Sequence, residues 1–397
     1  MVEIAFGELF SIPLRNGVSY SSARRGSGVP MVNMKEMFAL DRIGEGDFEL
    51  APLNDREMET CLLVEGDLLF ARQSLTFEGA GKCSLVLGSS HDRTWESHLI
   101  RVRLDEELAL SSYYFYYFRS PAGRRNMESI VNQVAAAGIR GSDLARLIVP
   151  LPGLEVQQGV AEVLGALDDK IAANTKLAST AEDLAQAIYR EATLGVKMVP
   201  MSSRLVPVLG GTPARSTIGF WGGDNLWISA RDVTGAGQSV ILDTEEKITD
   251  LAIASTKAKP LPAGSVILTA RGTVGAVARL AESASFNQSC YGFVPGALPA
   301  SVLYFAIRAA TDHAKALAHG SVFDTITMKT FDHLSVPGLD ADSLDVLEGA
   351  IRGLLDVVDA SQKENRTLVA TRDTLLPQLM SGKLRVKDAE RAVSEVA

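Results

Sequence analysis

Two stretches of this 397-residue chain carry a heptad pattern, and each is too long and too one-sided to stand alone. In the first, Val160, Leu167, Asn174, Ala181 and Ile188 alternate with Leu164, Ile171, Ala178, Ala185 and Ala192, the 3–4 spacing of a coiled-coil seam. In the second, Ile351, Val358, Asn365 and Leu379 alternate with Leu355, Val369 and Leu376, while Gln362 and Arg372 dilute the stripe. The spacing predicts one helix over Val156–Leu194, stopped by Gly195, and another over Leu344–Ser381, capped by Asp342 or Ser343, stopped by Gly382 and bent near Pro377. At ~1.5 Å per residue each rod is roughly 55–60 Å long. Neither buries its apolar stripe alone, so the two are expected to pack on each other. Val160, Leu164, Leu167, Ile171 and Asn174 of the first helix, and Ile351, Leu355, Val358, Asn365 and Val369 of the second, are the residues expected at the helix–helix interface. In an antiparallel pair, Asn174 and Asn365 fall near the two midpoints, where they either pair and fix register or face water.

The regions before the helices also repeat. Ile139–Pro150 (IRGSDLARLIVP) aligns with Ile326–Pro337 (ITMKTFDHLSVP), and Glu65–Arg72 (EGDLLFAR) resembles Ala263–Arg271 (AGSVILTAR), each a turn running into a strand that ends in arginine. Within the helices, Leu164, Leu167, Asn174, Leu177 and Leu184 fall over Leu355, Val358, Asn365, Leu368 and Leu375. The economical reading is one unit used twice, each copy a globular part followed by a helix. The expected boundaries are 1–153 and 198–340 for the globular parts, 154–197 and 341–386 for the helices, and 387–397 for a flexible tail. Leu226–Val233, Ser265–Arg271 and Tyr291–Gly296 read as strands in the second copy, with helices near Ala300–His319 and Met328–Leu334. The first copy shows CLLVEGDLLFAR and HLIRVRL as strands and Ser111–Ser120 as an aromatic helix. The fold class is α+β, with an antiparallel helix pair holding the two globular copies apart.

Catalytic chemistry is hard to place. Gly81-Lys82 lacks the spacing of a phosphate loop, and the glycines at Gly26 and Gly235 lack the third glycine of a dinucleotide fingerprint. His91, His98, His313, His319 and His333 form no metal-binding spacing, and Cys61, Cys83 and Cys290 form no C-x-x-C pair and read as small buried hydrophobes. The start, MVEIAFGELFSIPL, is not a leader, and no window is apolar enough for a membrane helix, so the chain is expected to be cytoplasmic, with no membrane partner. No metal and no cofactor are expected, and the chain is expected not to be an enzyme.

What remains is polar and aromatic material on glycine-rich loops. Arg215, Trp221, Asn225 and Arg231 stand among turn-forming glycines in Gly210–Val233, and Arg271 and Thr273 follow a strand. The first copy offers Arg24, Arg25 and Lys35, with Arg72, Gln73 and Lys82 at the place Arg271 holds in the second; Arg140 and Lys329 come from the aligned segments that lead into the helices. Arginine on such loops reads guanine edges, and Asn or Gln reads adenine. The net charge of −9 argues against a free-standing nucleic-acid binder. Tyr113, Tyr114, Tyr116 and Tyr117, with Phe115 and Phe118, point in all directions from a helix and read as core or as a partner-facing patch rather than as base-stacking residues.

Val149–Tyr189 resembles the central region of type I restriction-modification specificity subunits, with its proline-rich lead-in, its glutamine and its LD-x-K-I-x-x-N run; GGTPARSTIGFWGGDNLWISARDV is similar to the start of a target-recognition domain there, and LLPQLMSGKLRV to the C-terminal end. The first copy departs from the pattern, since no Gly-Thr-Pro opening precedes Gly17. The resemblance implies a non-catalytic subunit whose two target-recognition domains each read half of a bipartite double-stranded DNA target, with the helices as a ruler; readers on one face of the duplex sit about 34–36 Å apart, or a multiple. It further implies docking of two methyltransferase subunits, which bind S-adenosylmethionine, and of restriction motor subunits. A methylation-only or other defence complex and a coiled-coil protein scaffold without DNA are the alternative readings.

Overall fold

The computed structural model describes residues 2–133, 137–236, 239–317 and 325–394. The chain forms two compact units, Met1–Ile171 with Thr367–Ala397, and Ala172–Arg366. Both expected helices are present, over Leu154–Thr193 and Ala341–Met380. Each is divided between the units, so the boundary runs through the helices instead of before them.

In unit 1 a five-stranded sheet has the order Phe10–Asn16, Leu99–Leu104, Leu68–Ala71, Cys83–Val86 and Arg42–Ile43, antiparallel except for the last, parallel pair. A smaller sheet places Val29–Val32 between Glu49–Ala51, antiparallel, and Thr94–Trp95, parallel. Val2–Ala5 pairs with Ile148–Leu151 just before the long helix.

Unit 2 repeats this plan strand for strand. Its large sheet runs Val208–Leu209, Cys290–Phe293, Val266–Thr269, Val277–Leu280 and Val240–Ile241, again with only the last pair parallel. Trp221–Ile228 lies between Glu246–Ile248, antiparallel, and Ser285–Phe286, parallel, and Met198–Pro200 pairs with Ser335–Pro337. One glycine in each copy shows how closely the chains approach. A Cβ on Gly17 would stand 2.0 Å from the Trp95 carbonyl oxygen, and one on Gly210 would stand 2.1 Å from that of Asn287. Only glycine lets the backbone pass from one sheet to the next at these points.

The aromatic helix, Ser111–Arg119, buries all six of its rings against the large sheet and the long helices of unit 1, which settles them as core. Tyr114 donates to the Pro150 carbonyl at 2.8 Å and Tyr116 to Asp168 at 2.7 Å, so the buried hydroxyls are satisfied. In unit 2 the corresponding helix, Ala300–Leu317, covers the second sheet; His319 lies outside the described residues. All three cysteines are buried and unbridged, and burial pushes the Cys290 thiol up to about 12.

Within each unit the two long helices pack antiparallel. In unit 1 Val160, Leu164 and Leu167 share a core with Leu368, Leu375, Leu376 and Leu379, with Ile171 half-buried against it. Arg372, expected to weaken the seam, instead bonds Asp168 at 2.8 Å. Leu368 is fully buried whereas Val369 is half-buried, so the expected seam position shifts by one residue. In unit 2 Ala178, Ala181, Ala185 and Tyr189 meet Ile351, Leu355 and Val358. Tyr189 is buried beside Ile188, which packs half-buried against the same core, and Ala192 is exposed, as the drift of about 20° per heptad from a 3.5-residue repeat requires. Asn174 donates to Glu364 at 2.7 Å and Asn365 to Thr175 at 3.1 Å, so each asparagine bonds the chain neighbour of the other.

The second long helix runs through Pro377 to Met380, within a residue of its expected end, and three smaller expectations are corrected. Asp340, not Asp342 or Ser343, caps the second long helix by accepting from the Ser343 amide at 2.8 Å. Leu226–Val233 is strand only to Ile228, and Ala230–Gly235 is helical because Ser229 caps it through the Asp232 amide. Most of the expected flexible tail is a helix, Val386–Ser394, whose Ala389 is buried in the unit 1 core.

Candidate nucleic-acid interface

The expected reading residues fall into two sets in each unit. The first set surrounds the small sheet. In unit 1, Arg24 ends a short 3-10 helix, Ser22–Arg24, with its guanidinium 5.2 Å from the Tyr20 ring centre. Arg25 donates from Nε to the Tyr20 carbonyl at 2.9 Å and from Nη1 to Glu49 at 2.8 Å. Lys35 is exposed on Met34–Ala39, a helix entered at Asn33, whose backbone N–H donates to the Glu36 carboxylate at 3.0 Å.

The matching set in unit 2 is Arg215, Trp221, Asn225 and Arg231. Arg231, like Lys35, is the second residue of a short capped helix; it is exposed and lies 3.6 Å from Glu245. Asn225 is committed to the fold, since its amide donates to the Ile248 carbonyl at 3.2 Å and to Asp250 at 2.9 Å. Arg215 lies over Trp221, 3.8 Å from the ring centre, and forms a two-pronged ion pair with Glu246 whose Nη2–Oε2 distance is 2.7 Å. The hydrogen bond to Glu246 holds the Arg215 guanidinium above its usual range, and the same bond holds the Glu246 carboxyl below its own.

The second set lies where the strand ending in arginine meets the segment before the long helix. In unit 1, Gln73–Ser74 pairs with Ala137–Gly138, and the Ile139 amide donates to the Arg72 carbonyl at 2.9 Å. These bonds bring Arg72, Gln73 and Arg140 together; Gln73 and Arg140 are exposed. In unit 2 the Ile326 amide donates to the Ala270 carbonyl at 2.9 Å, which brings the segment carrying Lys329 beside the loop of Arg271 and Thr273. All three of these side chains are exposed. Gly272 and Gly275, at φ 79° and 80°, supply the left-handed turns that this loop needs.

Lys82 does not join either set. Its ammonium is 3.2 Å from Asp41 and donates to the Phe38 carbonyl at 3.0 Å. It lines a cavity of about 230 Å³ with Arg119, Arg124 and Arg372, residues that sequence reasoning missed because they come from separate helices. Arg119 also pairs with Asp41, at 2.6 Å. Burial raises the Asp41 carboxyl, but the Arg119 and Lys82 contacts outweigh this and hold it below the usual range. Sequence reasoning also missed Glu49 and Glu246, which sit on matching strands of the two small sheets and each hold an arginine. The signal available for them was their shared place in the repeat.

Among the described residues, no group of three or more His, Cys, Asp or Glu side chains is placed to hold a metal ion, and no helix is long and apolar enough to cross a membrane. The residues described above present hydrogen-bond donors, cations and rings on loops carried by the sheets of each unit.

The sequence model of the family described as Type I restriction modification DNA specificity domain matches residues 3–182 and 211–339, well over half of the chain. The specificity subunit of type I restriction enzyme EcoKI from Escherichia coli (strain K12) is 31% identical over 189 residues, 46% of this chain and 40% of that protein. The specificity subunit of type I restriction enzyme MjaIX from Methanocaldococcus jannaschii is 24% identical over 162 residues, 40% of this chain and 38% of that protein. The chain thus spans about two fifths of the length of either relative. The crystal structure of the S subunit of a type I restriction-modification system from M. genitalium is alike in fold, with a TM-score of 0.63 over 95% of both chains at 13% identity.

Proposed function

This chain belongs to the type I restriction modification DNA specificity domain family, and from that premise we propose that it is the DNA-reading subunit of a type I restriction-modification complex. Each unit reads one half of a split double-stranded target. The chain is not itself an enzyme and binds no cofactor: methyltransferase subunits dock on it and bring S-adenosylmethionine, and restriction motor subunits join for cleavage. The observation that carries this reading is the duplication: one strand order, one crossing glycine and two sets of loop-borne polar residues occur twice. A single reader needs no second copy, whereas a split target needs two readers of the same plan with different loops.

Acidic net charge is consistent with this assignment, because partner subunits supply cations for the phosphate backbone. Expressing the chain with its methyltransferase partners in a host and sequencing the methylated bases tests the proposal. A motif of two short half-sites around a spacer of constant length is the expected result. Methylation at an unbroken motif, or none that depends on the chain, overturns it.

A further inference from the structure

Arg25 and Arg215 both meet a glutamate on the outer strand of a small sheet, yet they are held differently. A guanidinium has two edges that can each give a pair of parallel hydrogen bonds: the Nη1/Nη2 end, and the side formed by Nε and the neighbouring Nη. Arg25 uses both, Nε on the Tyr20 carbonyl and Nη1 on Glu49, and only 23% of its side chain is exposed. It is a brace within unit 1.

Arg215 spends only the end. Nη1 and Nη2 hold the two oxygens of Glu246, and Nε has no acceptor among the described residues. Its side chain is 58% exposed. One flat face is covered by Trp221, which packs edge-on against buried Trp227 with ring centres 5.0 Å apart. Trp227 is anchored in turn by its indole N–H, which donates to the Gly211 carbonyl at 3.0 Å. An arginine is ordinarily flexible, and ordering it costs binding energy. Here the ordering is done by the fold, while the Nε side makes no hydrogen bond within the described residues and the side chain stays more than half exposed.

We propose that Arg215 reads a guanine in the half-site bound by unit 2, with Glu246 and Trp221 as positioning residues. The open Nε/Nη edge has the spacing and donor pattern that the O6 and N7 acceptors of guanine require in the major groove. The carboxylate clamp and the ring fix the plane of the guanidinium, so that edge can be satisfied only in one orientation. A phosphate can also accept from such an edge, and the duplex series below tells the two contacts apart. Arg25, lacking a free edge, plays no part in reading. This inference rests on the DNA-reading function proposed above.

The test uses the full chain assembled with its methyltransferase partners. Methylated-base sequencing of the wild type first defines the split target, and duplexes altered one base pair at a time then give the discrimination at each position. Arg215→Lys keeps the charge and removes the paired donors. It is expected to relax one G·C pair between about 5-fold and about 100-fold, with the other positions and the salt dependence unchanged. Glu246→Gln and Trp221→Ala relax the same pair, and neither adds to Arg215→Ala, as residues acting through one side chain must. Trp221→Phe, which restores a ring face, recovers part of the loss. Uniform weakening on every duplex by Arg215→Ala, with the salt slope reduced by about one, identifies a phosphate contact and overturns the proposal. So does an unchanged profile, or a wild-type target without guanine in either half. A wild type with no split target instead defeats the functional reading itself.

Discussion

The two units share every strand of their large and small sheets, and differ most where the strand ending in arginine gives way to the next. In unit 1 that connection runs from Arg72 to Lys82 and contributes a short strand of its own to a ribbon with Ala137–Gly138. In unit 2 it is a tighter turn from Ala270 to Ala276, held by Gly272, Gly275 and the Lys315 ammonium, which donates to the Gly275 carbonyl at 2.7 Å. The small sheets diverge in the same way: a glutamate is kept at Glu49 and Glu246, while the arginine that meets it comes from different loop positions. Where strands must pair and cross, the copies are alike. Where side chains reach solvent, they differ, so the duplicated scaffold carries two distinct loop surfaces.

The comparison is most exposed to failure at the crossing glycines. Gly17→Ala and Gly210→Ala should each destabilise by more than about 4 kcal/mol, because the new methyl meets backbone and has no side chain to displace. Thermal unfolding in which one variant is tolerated and the other is not would show that the copies do not share this constraint. Leu164→Ala and Leu355→Ala, at matching and fully buried helix positions, should each cost about 2–5 kcal/mol in urea unfolding. Leu177→Ala and Leu184→Ala, each half exposed at 51%, should stay within about 0.5 kcal/mol.

A smaller effect concerns the ion pairs made by the long helices in each unit. Asp168→Ala removes the partner of Arg372 and of Tyr116 in unit 1, and Asp359→Ala removes the partner of Arg279 in unit 2. Each should cost about 2 kcal/mol, less than a fully buried pair because the partners still touch water. Double-mutant cycles with Arg372→Ala and Arg279→Ala check that the loss belongs to the pair.

The smallest expected effect is on acid stability. Asp41 in unit 1 and Glu246 in unit 2 both have folded-state values below their unfolded ones. Their contributions are therefore present above about pH 4 and lost as the pH falls through the lower folded-state values. Asp41→Asn and Glu246→Gln should each flatten the decline in melting temperature between about pH 4 and pH 2. A decline unchanged in both variants would show that neither clamp is linked to folding.

Much of the scaffold was legible because it rests on local periodicity. The heptads located both long helices to within a few residues, and six consecutive aromatics pointed to core or a partner-facing patch, between which their burial in unit 1 decides. Periodicity failed where a partner decides the outcome. Leu177 and Leu184 align with Leu368 and Leu375, yet the first pair is exposed and the second buried, because each helix meets a different surface. The shift from Val369 to Leu368 has the same origin. Among the nominated contacts, Asn225 and Lys82 proved tied to nearby acidic and carbonyl groups, and Arg25 to Glu49.

From the order of its residues alone, this chain is determined to be a doubled unit with two one-sided helices, because repeats and hydrophobic spacing are properties of neighbours along the chain. Which arginine is a brace and which is presented was decided only by tertiary structure. Glu246 lies 31 residues from Arg215, and Glu49 lies 24 from Arg25. The strand register that brings each pair into contact arises from the packing of the sheets, and that packing has no local signature.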